Sequence, residues 1–200
     1  MVTGRRWHRG HRLALSIFAL LLLGLAPAGA DDALWTALKA GGHVVLVRHA
    51  ATTGGAGDPP GFRLEDCATQ RPLTEEGRTQ ARKIGQRFRT EGIAIGKVLS
   101  SEWCRCRDTA ALMDLGPVET AATFNNAFTL RERVDDLEAG AREIIAAWIS
   151  PGAMVIVTHG ANIRPLTGID PAEGGMVVIR PDSASASKLR VMGQIPPGSH

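Results

Sequence analysis

The chain has 200 residues, 44% of them apolar and only 4% aromatic, which suits one compact domain with an aliphatic core and gives no sign of disorder or of a second domain. The formal charge of +3 invites a nucleic-acid reading, but Arg5, Arg6, Arg9 and Arg12 all fall within the first thirty residues, which hold no Asp or Glu; +3 less those four leaves −1. A basic patch for nucleic acid therefore finds no support, because the remaining Lys and Arg are balanced by acids scattered among them.

In chain order, the first segment is a leader: a basic stretch, an apolar run from Leu13 to Leu25, and small residues ending at Ala28-Gly29-Ala30. The run is shorter than the ~20 residues that span a bilayer, so residues 1–30 read as a signal peptide cleaved before Asp31, with an uncleaved anchor as the alternative. No Cys follows the run for lipid attachment, and Trp7-His8 after Arg5-Arg6 fits twin-arginine export poorly, so the general secretory route leads. The mature domain, residues 31–200, is then periplasmic or secreted, with no membrane contact after cleavage.

Asp31-Asp32 are placed to cap a short helix, Ala33 to Ala40, that stops at Gly41-Gly42. His43 to Val47 is an apolar β-branched run too continuous for a one-sided sheet, so it predicts a central strand covered on both faces. Four glycines and two prolines make residues 51–61 a loop at that strand's carboxyl end, where open α/β sheets place ligands. Thr74 followed by two acids starts a helix running to about Thr90, with Ala81, Ile84, Gly85 and Phe88 as its inner stripe and Arg78, Arg82, Lys83, Arg87 and Arg89 as a solvated face. Further on come a strand at Lys97–Ser100, a helix at Glu102–Met113, a helix from about Leu137 to Ile149, and a strand at Ala153–Thr158. Two edge strands follow, Met176–Ile179 and Leu189–Met192, joined by a polar turn from Asp182 to Ser187. This alternation predicts an α/β fold, a three-layer α/β/α sandwich around a mainly parallel central sheet.

Three cysteines, Cys67, Cys104 and Cys106, suit one disulfide and one thiol in an oxidising compartment. Cys67 with Cys104 is the preferred pair, since it joins a loop to a helix while Cys104 and Cys106 lie too close on one helix; three reduced thiols packed as small apolar residues are the alternative. A zinc site is disfavoured, because neither a CxxC pair nor suitably spaced His ligands accompany them.

Val44-Val45-Leu46-Val47-Arg48-His49 and Val155-Ile156-Val157-Thr158-His159 each deliver a histidine at a strand's carboxyl edge. If those strands are neighbours, the two imidazoles share a pocket. Leu46-Val47-Arg48-His49 followed by Ala50-Ala51-Thr52 resembles the signature of the histidine phosphatase superfamily, which has the phosphoglycerate mutase-like fold. Leu73 to Ala81 resembles that family's first long helix, Ser100-Ser101 through Arg105 to Thr109-Ala110 its second arginine segment, and Val157-Thr158-His159-Gly160 its second histidine. Four such matches in order are specific where one would be weak.

The resemblance makes His49 a nucleophile that becomes phosphorylated, with Arg48, Arg105 and His159 around the phosphoryl oxygens and Thr52 able to add a hydrogen bond. Neutral imidazole is a good nucleophile near pH 7, and a covalent intermediate divides one hard displacement into two easier ones. Fixed guanidinium donors match the charge spread over the oxygens in the transition state, so no metal and no organic cofactor is required. Taken singly, either histidine reads as an ordinary strand-end residue. Arg105 is selected over Arg107 by the resemblance, and Arg164 reads as a surface cation on a helix, with a substrate contact as the alternative.

The chain departs from the family pattern at Ala50, in place of a usual Gly, at Gly55, where many members carry Asn, and at Asn126, where many carry a proton-donating acid. General-acid help is typically worth about 10² to 10⁴ in rate, so another carboxylate is sought. Asp58 is the first choice, on a loop stiffened by Gly57, Pro59 and Pro60, with Glu65 and Asp66 beside it and Glu102 behind; a plain turn residue is the alternative for Asp58. The implied activity is hydrolysis of a small or glycan-borne phosphomonoester. A phosphohistidine phosphatase and a catalytically weak phosphate or phosphosugar receptor are the competing readings. A mutase is disfavoured by the chain's short length and by the missing acid element.

Overall fold

A computed structural model describes residue 1 and residues 29–55, 57–182 and 189–198. The signal peptide expected over residues 1–30 and the turn expected over Asp182–Ser187 therefore lie almost wholly outside the described residues. Within the described residues the chain runs α1 (Ala30–Lys39), β1 (Val44–Arg48), α2 (Glu75–Thr90), β2 (Ile95–Ser100), α3 (Cys104–Met113), β3 (Val118–Thr120), α4 (Val134–Ala146), β4 (Ala153–Thr158), α5 (Gly160–Thr167), β5 (Met176–Arg180) and β6 (Arg190–Ile195). No helix among them is long and apolar enough to cross a membrane.

The strands form one sheet in the order β3-β2-β4-β1-β5-β6. The pairings from β3 to β1 are parallel, and β5 and β6 run antiparallel to their inner neighbours. β1 is buried along its apolar length because alternate side chains enter different cores. Val45 and Val47 pack with Trp35, Ile84, Phe88 and Met113 from α1, α2 and α3. Val44 and Leu46 pack with Phe124, Ile145 and Ile163 on the face of α4 and α5. The three-layer, mainly parallel architecture is thus the one that the sequence predicts.

Several element limits differ from the sequence reading, each for a local reason. α1 begins at Ala30, so Asp31 and Asp32 occupy its first turn and favour the helix through its dipole, not as caps. Gly41 ends it as expected: φ is +79°, and a Cβ there would fall 1.9 Å from the Pro151 carbonyl. β5 is no edge strand; it lies between β1 and β6 and buries Met176 to Ile179 completely, as its unbroken apolar run required. β3, three residues long, shows no period in the sequence.

Two close approaches set the α2 side of the domain. Thr74 caps the helix by accepting from the Gly77 N–H at 2.9 Å, and a Cβ on Gly77 would meet the Ala51 carbonyl at 2.0 Å. A Cβ on Gly85 would lie 1.7 Å from the Met113 carbonyl, so glycine lets α2 and α3 touch. The basic face of α2 is less uniformly solvated than its charge suggests. Arg87 stacks over the Trp35 ring at 5.4 Å, and Arg89 donates to the carbonyls of Met113 and Asp114 at the end of α3.

Cys67 and Cys104 form a disulfide with Cα atoms 5.6 Å apart, while Cys106 is a free, buried thiol. The bridge ties the loop after β1 to the first residue of α3, next to Arg105.

Candidate active site

The parallel register of β1 and β4 sets Arg48 beside Thr158, so His49 and His159 emerge one residue later at the same edge of the sheet. Their rings meet edge to face with centroids 5.4 Å apart. Both are buried, at 4% and 3% exposure. His49 Nδ1 lies 3.0 Å from the Ala50 carbonyl. A carbonyl only accepts, so Nδ1 carries the proton and Nε2 keeps its lone pair. Burial foremost, then the charge of Arg105 and more weakly those of Arg48 and Arg71, lowers the His49 pKa to about 3 against the support of the Ala50 carbonyl. His49 is therefore a neutral imidazole at physiological pH, as a nucleophile must be.

His159 takes the opposite tautomer. Arg105 Nη2 approaches its Nδ1 at 3.4 Å and can only donate, so Nε2 carries the hydrogen and gives it to Ser101 Oγ at 3.0 Å. Ser101 in turn accepts from the Trp103 N–H and donates to Asn125 Oδ1. Burial, then the neighbouring His49 and Arg105, holds His159 well below the usual histidine range. Behind it lies Cys106, 3.5 Å from Nε2, whose thiol burial pushes up to about 12, which makes it a packing residue and not a nucleophile.

Three guanidiniums reach the cleft in front of His49. Arg48, at the end of β1, donates to the Pro171 carbonyl at 2.9 Å and lies 3.7 Å from Asp170. Arg105, on the first turn of α3 and 2% exposed, is held by Asp58. Arg71, just before α2, is 13% exposed. Each has a buried Nε–H with no hydrogen-bond partner in the protein. Three guanidiniums that line one cleft concentrate positive charge there, which suits an anion. The cleft measures about 440 Å³ and is lined also by His159, Asn126, Phe128, Arg164, Asp170 and Glu173.

The structure thus brings together His49, Arg48, Arg105 and His159 as expected, and leaves Arg107 exposed on the outer side of α3. It revises two assignments. Asp58 is not placed to donate a proton: its carboxylate accepts from Arg105 Nη1 at 2.7 Å and Nη2 at 3.3 Å, from the Trp103 indole at 2.9 Å and from the Arg71 amide at 3.4 Å. Burial alone would raise its pKa, but those bonds outweigh it and hold the group below the usual carboxylate range. Thr52 is not free to bind substrate, because its hydroxyl hydrogen goes to Glu173 at 2.8 Å while its oxygen accepts from Arg71. The other carboxylates considered are engaged or exposed: Asp66 pairs with Arg63, Glu102 accepts from Asn125 at 2.6 Å, and Glu65 faces solvent.

Arg71, Asp170 and Glu173 escape the sequence reading. Glu173 Oε1 lies 3.9 Å from His49 Nδ1. Its loop is fixed by Gln80, which accepts from the Ala51 N–H and donates to the Glu173 carbonyl, and by Gly174, where a Cβ would fall 2.2 Å from the Gln80 side chain. A long-range contact from α2 to a loop 93 residues away leaves no local pattern. Arg71 stands two residues before the recognisable Leu73-Thr74 helix start, which was its one available signal. Arg164 is exposed on α5, as expected, and also lines the cleft. Ala50 in place of Gly is accommodated, since Asp114 is the one non-glycine described residue with positive φ.

Two facing histidines with convergent guanidiniums at the carboxyl edge of a parallel sheet define an anion-binding site of phosphoryl-transfer type. Residues 44–128 match the histidine phosphatase superfamily (branch 1). No curated protein matches the sequence. Among solved structures the fold resembles that of the protein histidine phosphatase SixA in complex with tungstate, at 18% identity and a TM-score of 0.52 over 78% of this chain and 97% of that one. It also resembles the mycobacterial glucosyl-3-phosphoglycerate phosphatase, at 17% identity and a TM-score of 0.55 over 74% of this chain and 96% of that one. At these identities the likeness is one of fold.

Proposed function

We propose that the protein hydrolyses phosphoric monoesters through a phosphohistidine on His49, acting outside the cytoplasm on a small or glycan-borne phosphate. The observation that carries this reading is the buried, neutral His49, with its proton on Nδ1, which lines one cleft together with Arg48, Arg105 and His159. Nε2 attacks phosphorus, the P–O bond to the leaving oxygen breaks, and that oxygen takes its proton from solvent. The proton stays on Nδ1, donated to the Ala50 carbonyl throughout, so the phosphoimidazolium is stabilised by a fixed dipole. Water then attacks the same phosphorus, the N–P bond breaks, and inorganic phosphate leaves. Export is supported by the pattern of residues 1–30 and by the Cys67–Cys104 disulfide, which belongs to an oxidising compartment.

One observation favours a second reading. Asn126 stands where a proton donor is expected and Asp58 is committed to Arg105, so leaving groups that depart with little acid help are favoured. Phosphoramidates, including phosphohistidine, are such substrates, and so are aryl phosphates. The test is a panel of alkyl, aryl and glycosyl phosphates and a phosphoramidate, assayed with the mature protein and with His49→Ala. The expected result is multiple turnovers that His49→Ala abolishes. A single stoichiometric phosphorylation without release would instead support a receptor, and turnover that survives His49→Ala would overturn the assignment.

A further inference from the structure

Arg71 belongs to none of the segments that carry the family resemblance, yet its guanidinium sits inside the cleft. Nη2 donates to Thr52 Oγ1 and lies 3.7 Å from Glu173 Oε1, while Nε–H is buried with no protein partner. Glu173 is held in turn by the hydroxyl and amide of Thr52, at 2.8 and 3.2 Å. The Arg71 charge reaches both His49 and His159 strongly enough to oppose their protonation. Three cations packed around two imidazoles repel one another, and burial together with Arg105 disfavours the charge on Arg71 itself. A surface ion pair would not be built this way: the arrangement gains most when an anion enters between the guanidiniums.

We infer that Arg71 is a third phosphoryl-binding residue, aimed by the Thr52–Glu173 pair, in a loop that has Gly55 where many relatives have Asn. The inference rests on the phosphatase reading above. Arg48, Arg71 and Arg105 line one cleft, and three guanidiniums match the three non-bridging oxygens of a phosphoryl group. As those oxygens take on charge in the transition state, a preorganised donor assists turnover as well as binding. Thr52 and Glu173 act through Arg71 and are positioning residues.

The experiment uses the mature protein with orthovanadate, which adopts the geometry of the transferring phosphoryl group. Binding is followed by tryptophan fluorescence, since Trp103 lies 5.6 Å from His159, and turnover is followed with p-nitrophenyl phosphate. Arg71→Met is expected to lose roughly 10²- to 10³-fold in kcat/KM, with part of the loss in kcat, and to weaken vanadate by at least about tenfold. Arg71→Lys keeps the charge without the planar fork and is expected to fall between. Glu173→Gln is expected to weaken vanadate less than Arg71→Met while leaving the thermal midpoint near that of the unmodified protein. Vanadate affinity and kcat within threefold of the unmodified protein in Arg71→Met overturns the role, whatever happens to its stability. If the unmodified protein neither binds vanadate nor turns over, the phosphatase reading fails and takes this one with it.

Discussion

Replacing Asp58 by Asn separates the two roles that its position allows. The Asp58 side chain is 1% exposed and receives four donors, two of them from Arg105, whose own side chain is 2% exposed. The amide keeps the shape but removes the charge, which leaves a buried guanidinium without its counter-ion. Breaking a buried pair in this way costs about 3 to 5 kcal/mol. For a domain of this size that corresponds to a fall of roughly 6 to 20 °C in the thermal midpoint. The freed charge of Arg105 then attracts an anion more strongly, because the repulsion between Asp58 and a bound phosphoryl group is gone; vanadate affinity is expected to rise by about tenfold or more. Calorimetry with and without vanadate therefore reads a less stable protein that the anion rescues by a larger increment. Turnover is expected to fall by a similar factor for alkyl and aryl esters, since Asp58 holds an arginine and gives up no proton. Unchanged stability, together with a rate loss that grows with the pKa of the leaving alcohol, would refute this reasoning and restore Asp58 as the general acid.

Acid should destabilise the protein from an unusually high pH. His49 falls from 6.5 to about 3 on folding, so the unfolded chain binds the extra proton between those values, and stability is complete above 6.5 and lost as pH drops toward 3. At about 1.4 kcal/mol per pH unit, His49 alone contributes on the order of 5 kcal/mol to that loss, and His159 adds in the same direction. Urea unfolding across this range should show a slope that His49→Asn reduces; a flat profile from pH 7 to 4 would contradict the buried neutral imidazoles. Reduction of the Cys67–Cys104 bridge, which spans 37 positions, is expected to cost about 4 kcal/mol by loop-closure entropy. Because the bridge adjoins Arg105, vanadate affinity should weaken with it, and reductant titrations that change neither quantity would exclude a supporting role for the disulfide.

Much of the site was legible because strand ends have a local signature. An unbroken apolar run ending in His, found twice, placed His49 and His159 at the edge of a sheet, and the register of β1 with β4 made them neighbours. Arg105 was selected by family resemblance alone, since its spacing from Arg107 fits either side of a helix. The pairing of Asp58 with Arg105 was hidden because a loop carboxylate looks the same in sequence whether it meets solvent or a buried arginine. The bond from the Thr52 hydroxyl was hidden for a similar reason: its partner, Glu173, is 121 residues away.

By itself, then, the sequence determined the layers, the central strand and the two histidines at strand ends, all of which depend on period, propensity and neighbours close in the chain. The tertiary structure alone decided which nitrogen of each histidine is bare, which carboxylates are already committed to arginines, and that Arg71 and Glu173 belong to the cleft. Those properties follow from burial and from charges brought within a few ångströms by folding, where a low dielectric makes each partner decisive, and such proximity leaves no trace in residue order.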